Sequence, residues 1–444
     1  MKAGARWLAV AGVAALAVGV AQWPAQVSGL GDGGVVHVAS NAAAGGDGSR
    51  LRPVNNLPDA VALARASRGS VPKILLSPGR YELSQPLLID FAVEIRGSNK
   101  MIRGADGWPT GNVHSGTDTV IVGSATFGTG DLVQIGREAG PVITGPVTVQ
   151  DLTFDLGGGN GPTASVLHLV KVRNFAVRRN RFVESNANIG ILTVASSGRI
   201  TENFISGVGC GMCIDAGTRS APSNVEIVGN RAVRNRFGGI LLDGTGWLIP
   251  ETDADQLTAD VRHNDLSENT FTPQFSFGIR IFVVRRDVGL PGDTQYTGNV
   301  TAKVSRNRMV GNEIGMTVDA GFPFRQYAPC PGCPPQCDNR VYTGSVNLTL
   351  ADNELRGSLL TPGLVSFTRN TAALAPGTMT SWQYLHGGRF TIRDPDRSLA
   401  GYWLEHPAAD PVVDGFCGAD ATAEPLGNRL VYNGSVVPNG RTIP

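Results

Sequence analysis

Four side chains in the middle of the chain have the types and the spacing that acid–base chemistry requires. Asp215, Asp243 and Asp319 each end a short phrase in which glycine is followed by alternating apolar residues, and Arg280 lies inside another copy of that phrase. The copies are GILTV (190–194), GMCID (211–215), GILLD (239–243), GIRIF (278–282), GMTVD (315–319) and GLVSF (363–367). Because side chains alternate along a strand, the third and fifth residues of each copy point away from the side that carries the second and fourth.

The element that must position these residues is a repeated coil. A second phrase, built around asparagine between apolar residues, precedes the glycine phrase in each repeat, and it reads VRRNRF (177–182), ITENFI (200–205), IVGNRA (227–232), VRHNDL (261–266), VSRNRM (304–309) and LADNEL (350–355). The period of two within both phrases predicts strands, and the interval from Asn180 to Asn203 is about one turn of a parallel β-solenoid. We therefore predict stacked coils with a ladder of asparagine side chains at one corner.

Stacking the coils brings acidic side chains from distant parts of the sequence together. Asp215 and Asp243 take the fifth position on neighbouring coils, whose strands lie about 4.8 Å apart. Two carboxyls this close resist being charged together, so one can act as a general acid beside a base or nucleophile. Such a separation suits a retaining glycosidase, whereas the wider pair Asp243 and Asp319 suits inversion. Arg280, on the coil between that pair, is suited to binding a substrate carboxylate.

Long insertions follow the same strands and carry aromatic side chains. The insertions span residues 244–257, 283–299 and 320–343, and their aromatic residues are Trp247, Tyr296, Phe322, Phe324 and Tyr327. Long loops on one edge of a rigid scaffold commonly hold function. We predict that these rings stack on sugars.

The N-terminal part of the chain resembles a known family. A short helix in NNLPDAVALARAS (55–67) is followed by the strands of KILLSPGRYEL (73–83) and VEIRG (93–97). This order is similar to the entry to right-handed parallel β-helix proteins of the pectin-lyase-like superfamily, through Leu57, Ala60, Val61, Ala64, Ile74, Leu76, Pro78, Gly79, Tyr81, Leu83, Ile95 and Gly97. The resemblance covers residues 33 to 370. It implies an all-β fold, namely a right-handed single-stranded parallel β-helix with an N-terminal helical cap, and a substrate groove along the strands that carry the aspartates.

The catalytic class stays open, because the motifs of particular enzymes in that superfamily are missing. The chain has no DD pair on a coil, no GHG, no RIK and no WIDH, and its RDPDR (393–397) lacks the histidine of the alginate-epimerase signature. Aspartate after a strand also often caps a turn, which is the structural alternative for Asp215, Asp243 and Asp319. On a second outward face, Lys303 beside Asp260 and Arg262 is either a proton-abstracting group with a charge clamp or a solvated ladder of alternating charges.

Composition limits the partners. The formal net charge is +1, so no global field attracts nucleic acid or membrane. Residues 1–25 combine a positive start, an apolar run and small residues, which predicts a signal peptide and a secreted or periplasmic protein, or a cell-surface one if the segment stays uncleaved. Of the 6 cysteines, Cys330, Cys333 and Cys337 lie in a proline-rich insertion, and disulfides are favoured over zinc in an oxidising compartment.

The sequence thus predicts an exported, carbohydrate-active β-helix protein. Its predicted parts are a signal peptide (1–25), an N-terminal cap with the first coils (33–97), the β-helix coils (98–370) and C-terminal strands or cap (371–444). The expected activity is cleavage of an extracellular polysaccharide by a lyase or a glycoside hydrolase, with Asp215, Asp243, Arg280 and Asp319 as catalytic residues. The alternative is a non-catalytic glycan-binding or structural protein. We expect a monomer that binds no nucleic acid, does not insert stably into a membrane and needs no structural metal or cofactor. Calcium held between the acidic side chains is the one exception considered, because it would serve a lyase.

Overall fold

The computed structural model describes residues 34–67, 70–112, 116–155, 165–183, 187–218, 221–244, 255–270, 276–283, 295–319, 341–358, 361–366, 389–397, 404–405 and 429–437. Within these ranges no helix combines the length and the apolarity needed to cross a membrane. Trp247, Phe322, Phe324, Tyr327, the predicted signal peptide and the cysteines beyond residue 320 lie outside the described residues.

One helix and a long series of short strands make up the described chain. In order they are β1 (Val35–Val38), α1 (Leu57–Ala66), β2 (Lys73–Leu76), β3 (Gly79–Leu83), β4 (Leu87–Ile89), β5 (Glu94–Arg96), β6 (Thr119–Gly123), β7 (Val133–Ile135), β8 (Ile143–Gln150), β9 (Thr153–Asp155), β10 (Ser165–Val170), β11 (Val172–Arg178), β12 (Arg181–Val183), β13 (Ile189–Val194), β14 (Gly198–Thr201), β15 (Phe204–Ser206), β16 (Cys210–Asp215), β17 (Ser223–Val228), β18 (Arg231–Val233), β19 (Gly238–Asp243), β20 (Asp255–Arg262), β21 (Phe277–Phe282), β22 (Gln295–Ser305), β23 (Arg308–Val310), β24 (Ile314–Asp319), β25 (Val341–Ala351), β26 (Glu354–Arg356), β27 (Thr361–Ser366), β28 (Arg389–Arg393), β29 (Leu404–Glu405), β30 (Arg429–Tyr432) and β31 (Ser435–Val437).

The strands wind into a parallel β-helix with three sheets. Sheet A has the order β1-β2-β5-β8-β11-β14-β17-β20-β22-β25-β28-β30-β31, and sheet C has the order β29-β27-β24-β21-β19-β16-β13-β10-β7-β4. Sheet B runs β18-β15-β12-β9-β6-β3 and continues through single bridges at Asp265 to the pair β23-β26. Within the described residues the paired strands are parallel except for the hairpin β30-β31. Each full coil takes one strand from each sheet, as β14, β15 and β16 do, which confirms the predicted solenoid.

The asparagine ladder lies at the corner between sheets A and B. Asn180, Asn203, Asn230, Asn264 and Asn307 each donate a side-chain hydrogen bond to the asparagine oxygen of the next coil, at 2.9 to 3.1 Å. The residue before the asparagine turns the corner with a positive φ, as Arg179 (54°) and His263 (53°) do. Because buried amides must be bonded, the ladder fixes the coils one above another.

Glycine lies at the corner between sheets B and C and allows a close approach there. A Cβ on Gly239 would lie 3.1 Å from the Leu266 side chain, and one on Gly211 would lie 3.0 Å from Cβ of Ala232. Both distances are shorter than a relaxed carbon–carbon contact of about 3.5 Å or more. The glycine that begins each phrase therefore lets the two sheets approach, while the second and fourth residues fill the core, as Ile240 and Leu242 do.

The predicted N-terminal helical cap is not supported. The helix α1 is the single helix of the described ranges, and it is inserted between β1 and β2. Its first turn is capped by Asn56, whose side chain accepts a hydrogen bond from the Asp59 N–H at 2.8 Å. The buried face of Leu57, Ala60, Val61 and Ala64 joins the main core and contacts β1, β2 and β4. Because its apolar face packs into this core, the helix is part of the first coil.

Candidate functional site

The pairing of sheet C brings the two central aspartates together. Asp215 in β16 lies directly opposite Asp243 in β19, at the strand spacing of about 4.8 Å. On the next coil Arg280 pairs with Leu241, and Phe282 pairs with Asp243. Inward neighbours such as Ile214 and Leu242 belong to the core, so both carboxyls lie on the outer face of sheet C.

The backbone of Asp319 and the next strand, β27, continue the pairing of sheet C. Asp319 pairs with Phe282, so its backbone lies two coils beyond Asp243 as expected. The prediction for the following coil is wrong by one residue, because Ser366 and not Phe367 pairs with Asp319, and Leu364 pairs with Thr317. There Gly363 lies opposite Met316 instead of Gly315, and a shift of one residue exchanges the two faces of a strand.

The outer face of sheet C is buried rather than open. Asp215 and Asp243 are each 1% exposed, and Arg280 is 6% exposed. They adjoin a second apolar cluster, separate from the main core, made of Val170, Leu192, Val194, Ala195, Cys210, Cys213, Leu241 and Phe277. The Arg280 guanidinium lies over the Phe277 ring, 5.8 Å from its centre. Charges held among apolar side chains interact more strongly than they would in water.

A histidine–aspartate pair on the same face was not predicted from the sequence. His168 pairs with Leu192, which pairs with Cys213, so it belongs to the column that contains Arg280. Its Nδ1 lies 2.7 Å from Oδ2 of Asp131, within hydrogen-bond distance. The residue is 8% exposed, and among the described residues its Nε2 has no hydrogen-bond partner. The sequence feature that could have indicated His168 is its position in SVLHLV, a segment that aligns with the glycine phrases but lacks their glycine.

The two described cysteines do not form a disulfide. Cys210 and Cys213 are both buried thiols, which corrects the expectation of disulfides for this part of the chain. They lie three residues apart on one strand, a distance of about 10 Å, whereas a disulfide needs Cα atoms within about 7 Å. Both thiols pack in the outer apolar cluster beside the aspartates.

The second outward face is an open groove on sheet A. It has a volume of about 650 Å³, and its lining includes Asn174, Arg199, Asn224, Glu226 and Asp260. Arg199 Nε lies 2.7 Å from Glu226 Oε2, and Arg262 binds both Glu226 and Asp260. Asp260 lies opposite Lys303 in register. The contacts among Arg199, Glu226, Arg262 and Asp260 form a ladder of alternating charges. Lys303 makes no ion pair within the described residues, and its role stays a prediction.

Of the predicted binding residues, Tyr296 lies within the described part of the chain. Tyr296 lies in β22, where it pairs with Tyr342 in sheet A rather than lying in sheet C. The described residues hold no cluster of three or more histidine, cysteine or acidic side chains that could bind a metal ion. Calcium binding stays a prediction.

Similarity to known proteins is found among solved structures. No protein-family model matches the sequence, and no curated protein matches it. Among solved structures, the chain is similar to DFA-IIIase from Arthrobacter chlorophenolicus A6 in complex with DFA-III (14% identity, TM-score 0.40, 83% of each chain covered). It is also similar to endo-xylogalacturonan hydrolase from Aspergillus tubingensis (12% identity, TM-score 0.35, covering 83% of this chain and 88% of that one). A third is alginate lyase from Paenibacillus sp. str. FPU-7 (14% identity, TM-score 0.30, covering 70% and 97%). The parallel three-sheet winding itself confirms the resemblance to pectin-lyase-like β-helix proteins as one of fold.

Proposed function

We propose that the protein cleaves an extracellular polysaccharide at the outer face of sheet C. The observation that carries the proposal is the direct pairing of Asp215 with Asp243, with Arg280 on the following coil and all three more than nine-tenths buried. Burying charged side chains is unfavourable unless other groups compensate. A fold that collects three of them on one face beside a His–Asp pair is suited to acid–base chemistry.

The proposed chemistry is hydrolysis with retention of configuration. One carboxyl of the Asp215–Asp243 pair protonates the leaving oxygen, while the other attacks the anomeric carbon, since carboxyls about 5 Å apart leave no room for a water between them. The enzyme–sugar ester is then hydrolysed by water, which the first carboxylate deprotonates. Arg280 binds an anionic group on the sugar, for which its planar fork is suited. Asp319 extends the column along the polymer.

A second candidate is a non-catalytic structural or glycan-binding protein. The observation that favours it is the same burial, because Asp215 and Asp243 at 1% exposure are closed to a polymer in this structure. Under this alternative the two carboxyls cap the turns that follow β16 and β19.

A panel assay separates the candidates. The full chain is incubated with neutral and acidic polysaccharides while reducing ends and ultraviolet absorbance of unsaturated products are followed. Reducing ends alone mean hydrolysis, both signals mean elimination, and neither signal with retained binding means a non-catalytic module. Asp215→Asn and Asp243→Asn are expected to lower the cleavage rate at least about 100-fold.

A matched control uses another buried aspartate. Asp265 in sheet B is 0% exposed and is held by Arg231 and Arg308 at 3.1 Å each. Asp265→Asn should lower the melting temperature but leave the cleavage rate of the folded protein unchanged. If Asp215→Asn or Asp243→Asn retains full activity, Asp215 and Asp243 are not the catalytic pair.

We further propose that the chain is exported after removal of residues 1–25, acts as a monomer and winds right-handed. Right-handed connections between parallel strands are the general rule. N-terminal sequencing of the protein recovered from the medium or periplasm tests the cleavage.

A further inference from the structure

The last strands of sheet A carry a basic row, which we define as Lys303, Arg389, Arg393 and Arg429. Arg389 lies directly opposite Arg429, and their neighbours Phe390 and Leu430 point into the core, 0% and 1% exposed. Lys303 and Arg393 flank Thr349 in a second column of the same face, and the outward column of Thr391 lies between the two. All four basic side chains are exposed, so the row lies on the outer face of sheet A.

The basic row has no counter-charge of its own. Within the described residues none of the four takes part in an ion pair or a side-chain hydrogen bond, in contrast to Arg199 and Arg262 on the same sheet. The acidic residue that faces the row is Asp260, opposite Lys303, and its Oδ2 lies 3.2 Å from Nε of Arg262. Like charges directly opposite each other destabilise a sheet. Arg389 and Arg429 therefore form a positive surface on a protein whose net charge is only +1.

The side chains between the basic residues can bind hydroxyl groups. Thr301, Asn347, Thr349 and Thr391 are exposed on the same face and alternate with buried core residues. Each coil adds about 4.8 Å along the sheet, close to the length of one sugar in an extended chain. Hydroxyl and amide groups repeated at that interval match a ligand that repeats sugar by sugar.

We propose that this face binds an anionic polysaccharide whose sugars carry carboxylates. The basic row binds the carboxylates, and the threonine and asparagine side chains bind the hydroxyls. A single-stranded nucleic acid fits less well, because it needs aromatic platforms for its bases. Among the side chains that the structure describes, the exposed large apolar ones are Leu51, Val142 and Val436, none of them aromatic. The surface belongs to sheet A, so it does not depend on the carboxyls of sheet C.

Calorimetric titration of the full chain with polygalacturonate tests the proposal. Pullulan serves as the neutral polymer and single-stranded DNA as the competing polyanion, each at low and high salt. The expected result is salt-sensitive binding of polygalacturonate, with weaker binding of DNA and none of pullulan. Arg389→Gln with Arg429→Gln is expected to weaken polygalacturonate binding about tenfold. The matched control Arg199→Gln, which removes an exposed arginine already paired with Glu226, should change it less than twofold.

Folding and binding are separated by a second variant and a melting curve. Removing the Arg389–Arg429 repulsion should leave the melting temperature unchanged or raise it. If that double variant does not fold, Arg393→Gln in the column beyond Thr391 takes its place and should weaken binding about threefold. Unchanged affinity in the folded variant, equal binding of pullulan, or tighter binding of DNA than of polygalacturonate would each overturn the proposal. None of these readouts requires cleavage, so a failure here leaves the proposed activity untouched.

Discussion

At the scale of single residues, the buried asparagines determine how the coils stack. The Asn264 side chain donates to the Ile227 carbonyl at 2.9 Å and to Asn307 Oδ1 at 2.9 Å. Its own oxygen accepts from the backbone N–H of Asn230 at 2.9 Å and from the Asn230 side chain at 3.0 Å. An amide carries two N–H donors and an acceptor oxygen, so one side chain can donate to both neighbouring coils and accept from one of them.

Replacing an asparagine in the middle of the ladder should be strongly destabilising. Asn264→Ala leaves buried donors and acceptors on both neighbouring coils without partners, at about 1–3 kcal/mol for each group. We expect the free energy of unfolding in urea to fall by about 3 kcal/mol or more. The control Asn224→Ala removes an exposed asparagine from β17 in sheet A and should change the free energy of unfolding by less than about 0.5 kcal/mol. Equal effects of the two substitutions would contradict the role of the ladder.

Tyr81 makes stability depend on alkaline pH. Burial raises the pKa of Tyr81 to about 12 from 10.0, and its hydroxyl donates to the carbonyls of Ser77 at 2.9 Å and Val38 at 3.1 Å. The folded chain therefore favours the protonated phenol more than the unfolded chain does. This contribution to stability is complete below about pH 10 and is lost as the pH rises through about 12.

The expected result is a difference in slope between the protein and Tyr81→Phe. The free energy of unfolding of the unaltered protein should fall more steeply above about pH 10 than that of the variant, which has no phenol to ionise. Urea titrations at intervals from about pH 8 to about pH 11 measure both slopes. Parallel slopes would show that Tyr81 does not titrate with unfolding.

At the scale of elements, the corner between sheets B and C depends on the absence of a side chain. A Cβ at Gly239 would lie 2.8 Å from the Gly278 carbonyl oxygen and 3.1 Å from Leu266 Cβ. Gly239→Ala should therefore lower the free energy of unfolding by about 1–3 kcal/mol, as overpacking does. At Gly128 an added Cβ would meet nothing within 4 Å, so Gly128→Ala is the control and should be neutral. Equal melting temperatures for the two variants would exclude a close approach at this corner.

The same elements explain which parts of the fold the sequence predicts. Asparagine and glycine satisfy local backbone demands that recur on each coil, so their spacing alone is enough to predict the stacking of Asp215 on Asp243. A second asparagine ladder, in which Asn269 donates to Asn312 at 3.2 Å and Asn235 N–H donates to Asn269 at 2.9 Å, was missed. Its signal, an asparagine five positions after the first, recurs on these three coils alone.

The register of the last glycine phrase and the burial of the two aspartates could not be predicted from the sequence, for a physical reason. The shift at Gly363 follows from pairing with Met316 across the sheet, and a single phrase does not record its partner. Alternation of side chains predicts that Asp215 and Asp243 leave the core, but it does not predict what lies against the outer face. Their 1% exposure is therefore a property of the folded chain rather than of the repeat.

At the scale of the whole molecule, the β-helix places acidic and basic side chains on different sheets, although the net charge of the chain is close to zero. Sheet C holds buried acids among apolar side chains, whereas the end of sheet A exposes the basic row. A solenoid can do this because residues far apart in sequence become neighbours along each sheet. Both proposals depend on that stacking, and the pairing of Asp215 with Asp243 is its most specific consequence.

Cross-linking the two positions tests the stacking directly. In the full chain carrying Asp215→Cys and Asp243→Cys, mild oxidation followed by peptide mass spectrometry should identify a disulfide between residues 215 and 243, since adjacent strands place Cα atoms within bridging distance. The single variant Asp215→Cys is the control and should show no link to the β19 peptide. Absence of the 215–243 disulfide in a folded double variant would contradict the pairing, and with it the proposed catalytic face.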